Sequence, residues 1–309
     1  MKRIRRSAAV IATAVAVTVL PVTATAASVP GEEATAPASQ QQSSQSSQSS
    51  QPPMPQSSAA SGGWNDYSCD PSTAHPRPVV LVHGTGGNKV DNWLGLAPYL
   101  ARRGYCVFSL DYGQKAGVPF LYGLGPIEKS AEQLASFVEK VRAATGTAKV
   151  DMVGHSQGGM MPRHYLKFLG GADKVNALVG IAPSNHGTTL SGLARLADQY
   201  PAIGDAVEDF GPALMQQKEG SDFLKRLNEG GDTVPGVKYT VIATKYDEVV
   251  TPYTTQFLDG PDVNNVLLQD LCPANISEHL AIGLLDRMAF HETANALDPA
   301  HATPTTCAA

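Results

Sequence analysis

The sequence predicts an α/β fold: a doubly wound, mostly parallel sheet with a helical, lid-like insertion. Three observations predict it. Short apolar runs alternate with segments of helical periodicity along most of the chain. The clearest run, Val79–Val80–Leu81–Val82, is apolar throughout, as in a parallel strand buried on both faces. A glycine-flanked turn, Gly154–His155–Ser156–Gln157–Gly158, stands between a strand-like and a helix-like segment.

The elements follow in order. Pro78 to His83 is the first strand and ends in Gly84–Thr85–Gly86–Gly87. Trp93 to Arg103 reads as a helix closed by Gly104, and Tyr105 to Leu110 as the next strand. Ile127, Ala131, Leu134, Phe137, Val138 and Val141 recur at helical spacing, opposite Glu128, Lys129, Glu132, Glu139 and Lys140. This is an amphipathic helix for one face of a sheet, ended by Gly146. Ala148 to Val153 is the strand before the glycine-flanked turn, and Met160 to Leu166 are early turns of the helix after it. Val175–Ala182, Val237–Thr244 and Asn264–Leu268 complete the strands, and Leu280 to Leu297 reads as a closing helix. Residues from about 188 to 235 break the rhythm. Leu190, Leu193, Leu196, Ile203, Phe210, Leu214, Met215, Phe223 and Leu224 suit helical insertions, either as a lid or wall over a site or as ordinary packing.

Gly-x-Ser-x-Gly at a strand-to-helix turn is the pattern of a nucleophile elbow, which presents a serine hydroxyl at the carboxyl edge of the sheet. A serine hydroxyl needs a base within hydrogen-bond reach, and the base needs an orienting carboxylate. In α/β-hydrolases the order along the chain is serine, acid, histidine. Of the eight histidines, His279, His291 and His301 lie downstream of a suitable acid. His279 follows the last strand, His291 falls mid-helix and His301 lies in the tail, so His279 is the expected base. The expected acid is Asp247, in the turn after Tyr239–Thr244, with neighbouring Glu248 as the alternative. Acyl transfer also needs donors for an oxyanion. Those expected are the backbone N–H groups of Gln157, next after the serine, and Thr85, in the loop after the first strand. His83 and His155 read as structural, and His186 as a candidate pocket wall.

Together, PVVLVHGTGGN, GYCVFSLDYG, VGHSQGG, GSDFLKRLN with YTVIATKYDEVVTPY, and EHLAIGLLDRMAFHETANALD form a family pattern. Over residues 64–309 the chain resembles the secreted triacylglycerol lipases of the α/β-hydrolase superfamily, particularly the actinobacterial extracellular group. The resemblance implies Ser156, Asp247 and His279 as the triad and a fatty-acid ester as substrate. Acyl transfer by such a triad requires neither metal nor organic cofactor. Other triad hydrolases remain alternatives: a short-chain esterase, a cutinase-like polyesterase or an acyltransferase. A non-catalytic lipid-binding module is the alternative of another class.

Lys2, Arg3, Arg5 and Arg6 precede the apolar run Ser7–Leu20 and the small residues Ala24–Thr25–Ala26, the layout of a signal peptide over 1–26. Residues 27–63 are rich in Ala, Pro, Ser and Gln and read as a disordered linker; residues 64–309 are the catalytic domain. The chain carries 23 Lys+Arg against 28 Asp+Glu. The first 26 residues hold four of the basic residues and none of the acidic ones, leaving 19 against 28, a net charge of −9. That acidity disfavours nucleic acid and anionic membranes as partners. A secreted monomer without a stable membrane anchor is expected, acting on a lipid or other ester, with an oil–water interface as one setting. The four cysteines allow three pairings. Cys69–Cys106 with Cys272–Cys307 is favoured because it ties each terminus of the domain to its body, and the resemblance accords with it. No Cys-x-x-Cys spacing suggests a metal site.

Overall fold

In a computed structural model of the chain, residues 63–117, 119–189 and 201–307 are described. The predicted signal peptide, the linker up to residue 62, and residues 190–200 of the predicted insertion lie outside these residues, as do Leu190, Leu193 and Leu196.

Six strands form one sheet in the order β2-β1-β3-β4-β5-β6. They are β1 (Val79–Val82), β2 (Val107–Leu110), β3 (Val150–His155), β4 (Val175–Ile181), β5 (Lys238–Ala243) and β6 (Val263–Leu267). Every pairing among the described residues is parallel, so the expected mostly parallel sheet is parallel throughout its described strands. β1, β2 and β3 are buried at every residue, as in strands covered by helices on both faces; β1 is apolar throughout, while β2 and β3 also bury Ser109, Asp151 and His155.

The helices are α1 (Leu96–Ala101), α2 (Ile127–Thr145), α3 (Gln157–Phe168), α4 (Pro201–Phe210), α5 (Pro212–Gln216), α6 (Asp222–Asn228), α7 (Leu268–Leu271), α8 (His279–Leu284) and α9 (Arg287–Leu297). On one face Ile127, Ala131, Leu134, Val138 and Val141 of α2 share a core with Met160, Met161 and Tyr165 of α3. On the other, Leu96, Ala97 and Leu100 of α1 join Met288, Ala289 and Phe290 of α9. Gly146 ends α2 at φ 64°, a left-handed position that glycine occupies without a Cβ penalty.

The closing helix differs from the expected continuous Leu280–Leu297. It is two helices, because the Asp286 carboxylate caps a new start by accepting from the Ala289 N–H at 2.8 Å. The insertion divides too. Phe223 and Leu224 belong to the buried core, Phe210 is exposed, and Leu214 turns toward the carboxyl edge of the sheet. Disulfides join Cys69 to Cys106 and Cys272 to Cys307, across 37 and 35 residues. Each closed loop of that length contributes about 4 kcal/mol in the chain-entropy model.

Candidate active site

The site begins with the turn after β3. Ser156 has φ 56° and ψ −125°, a backbone conformation that costs about 1–3 kcal/mol for a residue with a Cβ. Its flanking glycines are steric necessities. A Cβ on Gly154 would lie 1.8 Å from the Gly158 carbonyl oxygen, and one on Gly158 would lie 2.0 Å from that of Val82. The turn is therefore packed backbone to backbone, and it places Ser156 at the N-terminus of α3. The first N–H groups of a helix lack intrahelical acceptors and carry partial positive charge.

Asp247 follows β5 and His279 follows β6, so both reach the same edge of the sheet as Ser156. Asp247 Oδ2 lies 2.8 Å from His279 Nδ1. The other carboxylate oxygen accepts from the N–H groups of Val249 (2.9 Å) and Val250 (2.7 Å), and Gln256 Nε2 donates to Oδ2 at 2.9 Å. His279 is the first residue of α8, whose start is capped by the Glu278 carboxylate accepting from Leu280 N and Ala281 N. His155 lies behind it. Its Nε2–H donates to the His279 carbonyl at 2.9 Å, and burial lowers its pKa to about 3, so the ring is neutral. Gly283 makes room for that ring, since a Cβ there would stand 2.5 Å from it.

The loop after β1 forms the opposite wall. The N–H groups of Gly84, Gly86 and Gly87 are taken by Asn92 Oδ1, the Tyr122 carbonyl and the Gly84 carbonyl. Thr85 Oγ1 accepts from Gln157 Nε2 at 2.8 Å and from Gln217 Nε2 at 2.9 Å. A hydroxyl has two lone pairs and one proton. With both lone pairs used, the Thr85 proton turns away from the two amides. The amide orientations are fixed because Gln157 Nε2 also donates to the Gly123 carbonyl and Gln217 Nε2 to that of Ala213. His83 braces the loop from below: Nδ1–H donates to the Gly84 carbonyl at 2.8 Å, the ring stacks on Tyr112, and burial lowers its pKa to about 4.

Ser156, His279 and Thr85 open onto one cavity of about 480 Å³. Leu214, Val249, Val250, Leu280 and Leu284 give it apolar walls. Of the remaining sequence candidates, His186 stands apart from this cavity, bonded through Nε2 to Asp232 Oδ1 and through Nδ1 to the Thr255 carbonyl, each at 3.1 Å. His291 bonds Thr303 and Thr305, and His301 bonds Asp298. Asn92, Gln217 and Gln256 are the site residues that sequence reasoning missed. Among the described residues, no group of three or more His, Cys, Asp or Glu is placed to hold a metal ion, and no helix is long and apolar enough to cross a membrane.

A parallel sheet in this strand order, with a serine at a strained turn after β3 and an acid–histidine pair at the same edge, defines an α/β-hydrolase. Residues 76–280 match the model of the family described as Lipase (class 2), and the chain belongs to that family. A triacylglycerol lipase of Burkholderia plantarii is 38% identical over 106 residues, covering 31% of this chain and 27% of that protein. Lipase B of Pseudozyma antarctica is 27% identical over 215 residues, covering 66% of this chain and 56% of that one. The chain thus spans about a quarter of the first relative's length and about half of the second's. The solved structure of Aspergillus fumigatus lipase B superposes with a TM-score of 0.59 over 76% of this chain and 56% of that chain, at 22% identity, a likeness of fold.

Proposed function

We propose that the protein is a secreted serine carboxylic ester hydrolase, a triacylglycerol lipase that works through an acyl-enzyme. The observation that carries this reading is the Asp247–His279 pair, 2.8 Å apart, with His279 and Ser156 on the walls of one largely apolar cavity. The Nδ1–H of His279 donates to Asp247, which leaves the Nε2 lone pair for the serine proton. Ser156 Oγ attacks the ester carbonyl carbon as His279 takes its proton, and Asp247 stabilises the imidazolium. The N–H groups of Thr85 and Gln157 hold the oxyanion, with the Thr85 hydroxyl as a third donor. Collapse of the tetrahedral intermediate expels the alcohol, which leaves with the proton from His279. Water then repeats the cycle on the acyl-enzyme and releases the acid.

Two relatives named as lipases and the apolar cavity walls support a fatty-acyl ester as substrate. Two disulfides and the basic-then-apolar leader over residues 1–26 support secretion. Exposed apolar residues near the cavity support work at an oil–water interface. Leu280 on its wall is 57% exposed, and Leu285, one turn on, is 74% exposed. The test is a fluorophosphonate probe together with a chain-length series of p-nitrophenyl esters and emulsified triolein. The reading expects labelling of Ser156, loss of all hydrolysis in Ser156→Ala, and activity on long acyl chains. A Ser156→Ala protein that still hydrolyses these esters, free of host esterase, overturns it.

A further inference from the structure

Asp247 is held by more than its own loop. Gln256 ends the 3-10 turn Tyr253–Gln256 and is fully buried. Its Nε2 donates at 2.9 Å to Oδ2, the same oxygen that accepts from His279 Nδ1 at 2.8 Å. We propose that Gln256 is a positioning residue for the catalytic acid, one that fixes the Asp247 carboxylate against His279. The inference rests on the triad reading above and assigns a role to a residue outside it.

An ionised carboxylate offers about four acceptor sites, and here four donors use them. Val249 N and Val250 N are backbone groups of the Asp247 loop, and His279 is the partner in the reaction. Gln256 is the remaining donor, and it arrives from a separate turn. That turn is clamped. The Asn185 side-chain amide donates to the Gln256 carbonyl at 2.6 Å, and the His186 N–H donates to the Thr255 carbonyl at 3.0 Å. The Thr255 hydroxyl donates to the Gly187 carbonyl at 2.8 Å. Behind Asn185 stands Arg163 of α3, buried, donating to the Asn185 carbonyl at 3.2 Å and ion-paired with Asp232. The helix that follows Ser156 thus anchors the residue that orients Asp247.

A hydrogen bond to a carboxylate stabilises its charged form and spreads its charge. Oδ2 is held from two directions, by Gln256 Nε2 and by His279 Nδ1, which together fix the plane of the carboxylate against the ring. Removing the Gln256 donor leaves a buried carboxylate oxygen one hydrogen bond short and free to turn away from His279. Other titratable groups near the ring are His155, neutral through burial, Asp91 on the cavity wall, and Tyr246 and Glu248 beside Asp247. All are common to wild type and variants, so the difference between pH profiles isolates Gln256.

The experiment compares full-chain wild type, Gln256→Met and Gln256→Glu on a soluble p-nitrophenyl ester across pH, with fluorophosphonate labelling of Ser156 alongside. For Gln256→Met the expected result is a kcat about 10- to 100-fold lower with KM within about two-fold, from loss of one charged hydrogen bond. Gln256→Glu sets two carboxylates at one point, which then share a proton. It works while the pair keeps that proton and loses activity as pH rises. Gln256→Glu is nearly isosteric and carries the test alone if Gln256→Met does not fold. A Gln256→Met protein with wild-type kcat, or a Gln256→Glu protein whose activity follows pH as that of wild type does, overturns the inference and leaves the triad reading intact. A wild-type protein that does not label at Ser156 overturns the triad reading itself.

Discussion

The Nε2–H of His155 donates to the backbone carbonyl of His279 at 2.9 Å, so one buried histidine fixes the main chain of another. Burial lowers His155 to about 3 and His83 to about 4, against an ordinary value of 6.5. A lowered folded value means that the unfolded chain binds the proton first. The stability from the two neutral rings is therefore complete above about pH 6.5 and is lost as pH falls toward 4, by about 1.4 kcal/mol per pH unit for each ring. His186, raised through its hydrogen bond to Asp232, works in the opposite sense and loses its contribution as pH rises. Burial lowers half-buried His164 as well, and three rings against one predict net acid destabilisation. Chemical denaturation midpoints between pH 7 and pH 4.5 should fall, and His155→Gln should flatten the slope.

The elbow predicts a steric result. Gly158→Ala drives a methyl to within 2.0 Å of the Val82 carbonyl oxygen, a backbone atom of a fully buried strand. Neither side can yield without moving the sheet, so a loss of about 3 kcal/mol or more is expected. Equilibrium urea unfolding measures it, and a loss below about 1 kcal/mol would mean that the turn relaxes easily.

Features carried by local pattern were legible in the sequence, and features made by distant contacts were not. The apolar run Val79–Val82 and the repeated αβ alternation announce a parallel sheet because burial on both faces removes polar residues from a strand. The sharpness of the turn at Ser156 is written in Gly154 and Gly158, where backbones touch. Chain order singles out Asp247 and His279, and the two stand 2.8 Å apart. Gln217 could not be found this way. It reaches Thr85 across 132 residues from within the insertion, and a lone glutamine has no periodic or motif signature. Gln256 and Asn92 are silent for the same reason. The break between α8 and α9 was legible in principle, since Asp286 three residues before Ala289 is a capping spacing, but the unbroken apolar periodicity masks it.

Asp247 and Glu248 are adjacent carboxylates with different expected roles. Asp247 is buried and faces His279 Nδ1. Asp247→Asn leaves the shape but favours the wrong histidine tautomer, so kcat should fall by about 10⁴-fold. Glu248→Gln should keep kcat within about two-fold, in line with a surface substitution. Steady-state rates on a soluble ester decide, and equal losses in the two variants would remove the special position of Asp247.

Thr85 predicts a split between its hydroxyl and its backbone. Thr85→Ser keeps the hydroxyl that accepts from Gln157 and Gln217, and it should stay within about three-fold of wild type. Thr85→Val removes it, leaving two buried amides short of an acceptor and the oxyanion short of one donor; kcat should fall by about 10²- to 10³-fold. Because the donor acts on the tetrahedral intermediate, KM should change little. A Thr85→Val protein with normal kcat would leave the two backbone N–H groups as sufficient.

The exposed leucines near the cavity predict a difference between dissolved and emulsified substrate. Leu285 adjoins Leu284 of the cavity wall, and Leu94 adjoins Gly95, which packs against the Leu284 carbonyl; Leu285 and Leu94 are 74% and 64% exposed. Exposed leucines this near the mouth gain nothing from water but gain burial at an oil surface, about 1.5–3 kcal/mol for each side chain fully covered. The net negative charge of the chain suits a neutral oil better than an anionic bilayer. Leu94→Asp combined with Leu285→Asp should therefore lower triolein hydrolysis by about 10-fold or more, from lost adsorption. The same protein should cleave a soluble short-chain p-nitrophenyl ester as well as wild type, since neither residue lines the cavity. Equal losses on both substrates would place the defect in the catalytic centre and not at the surface that meets the oil.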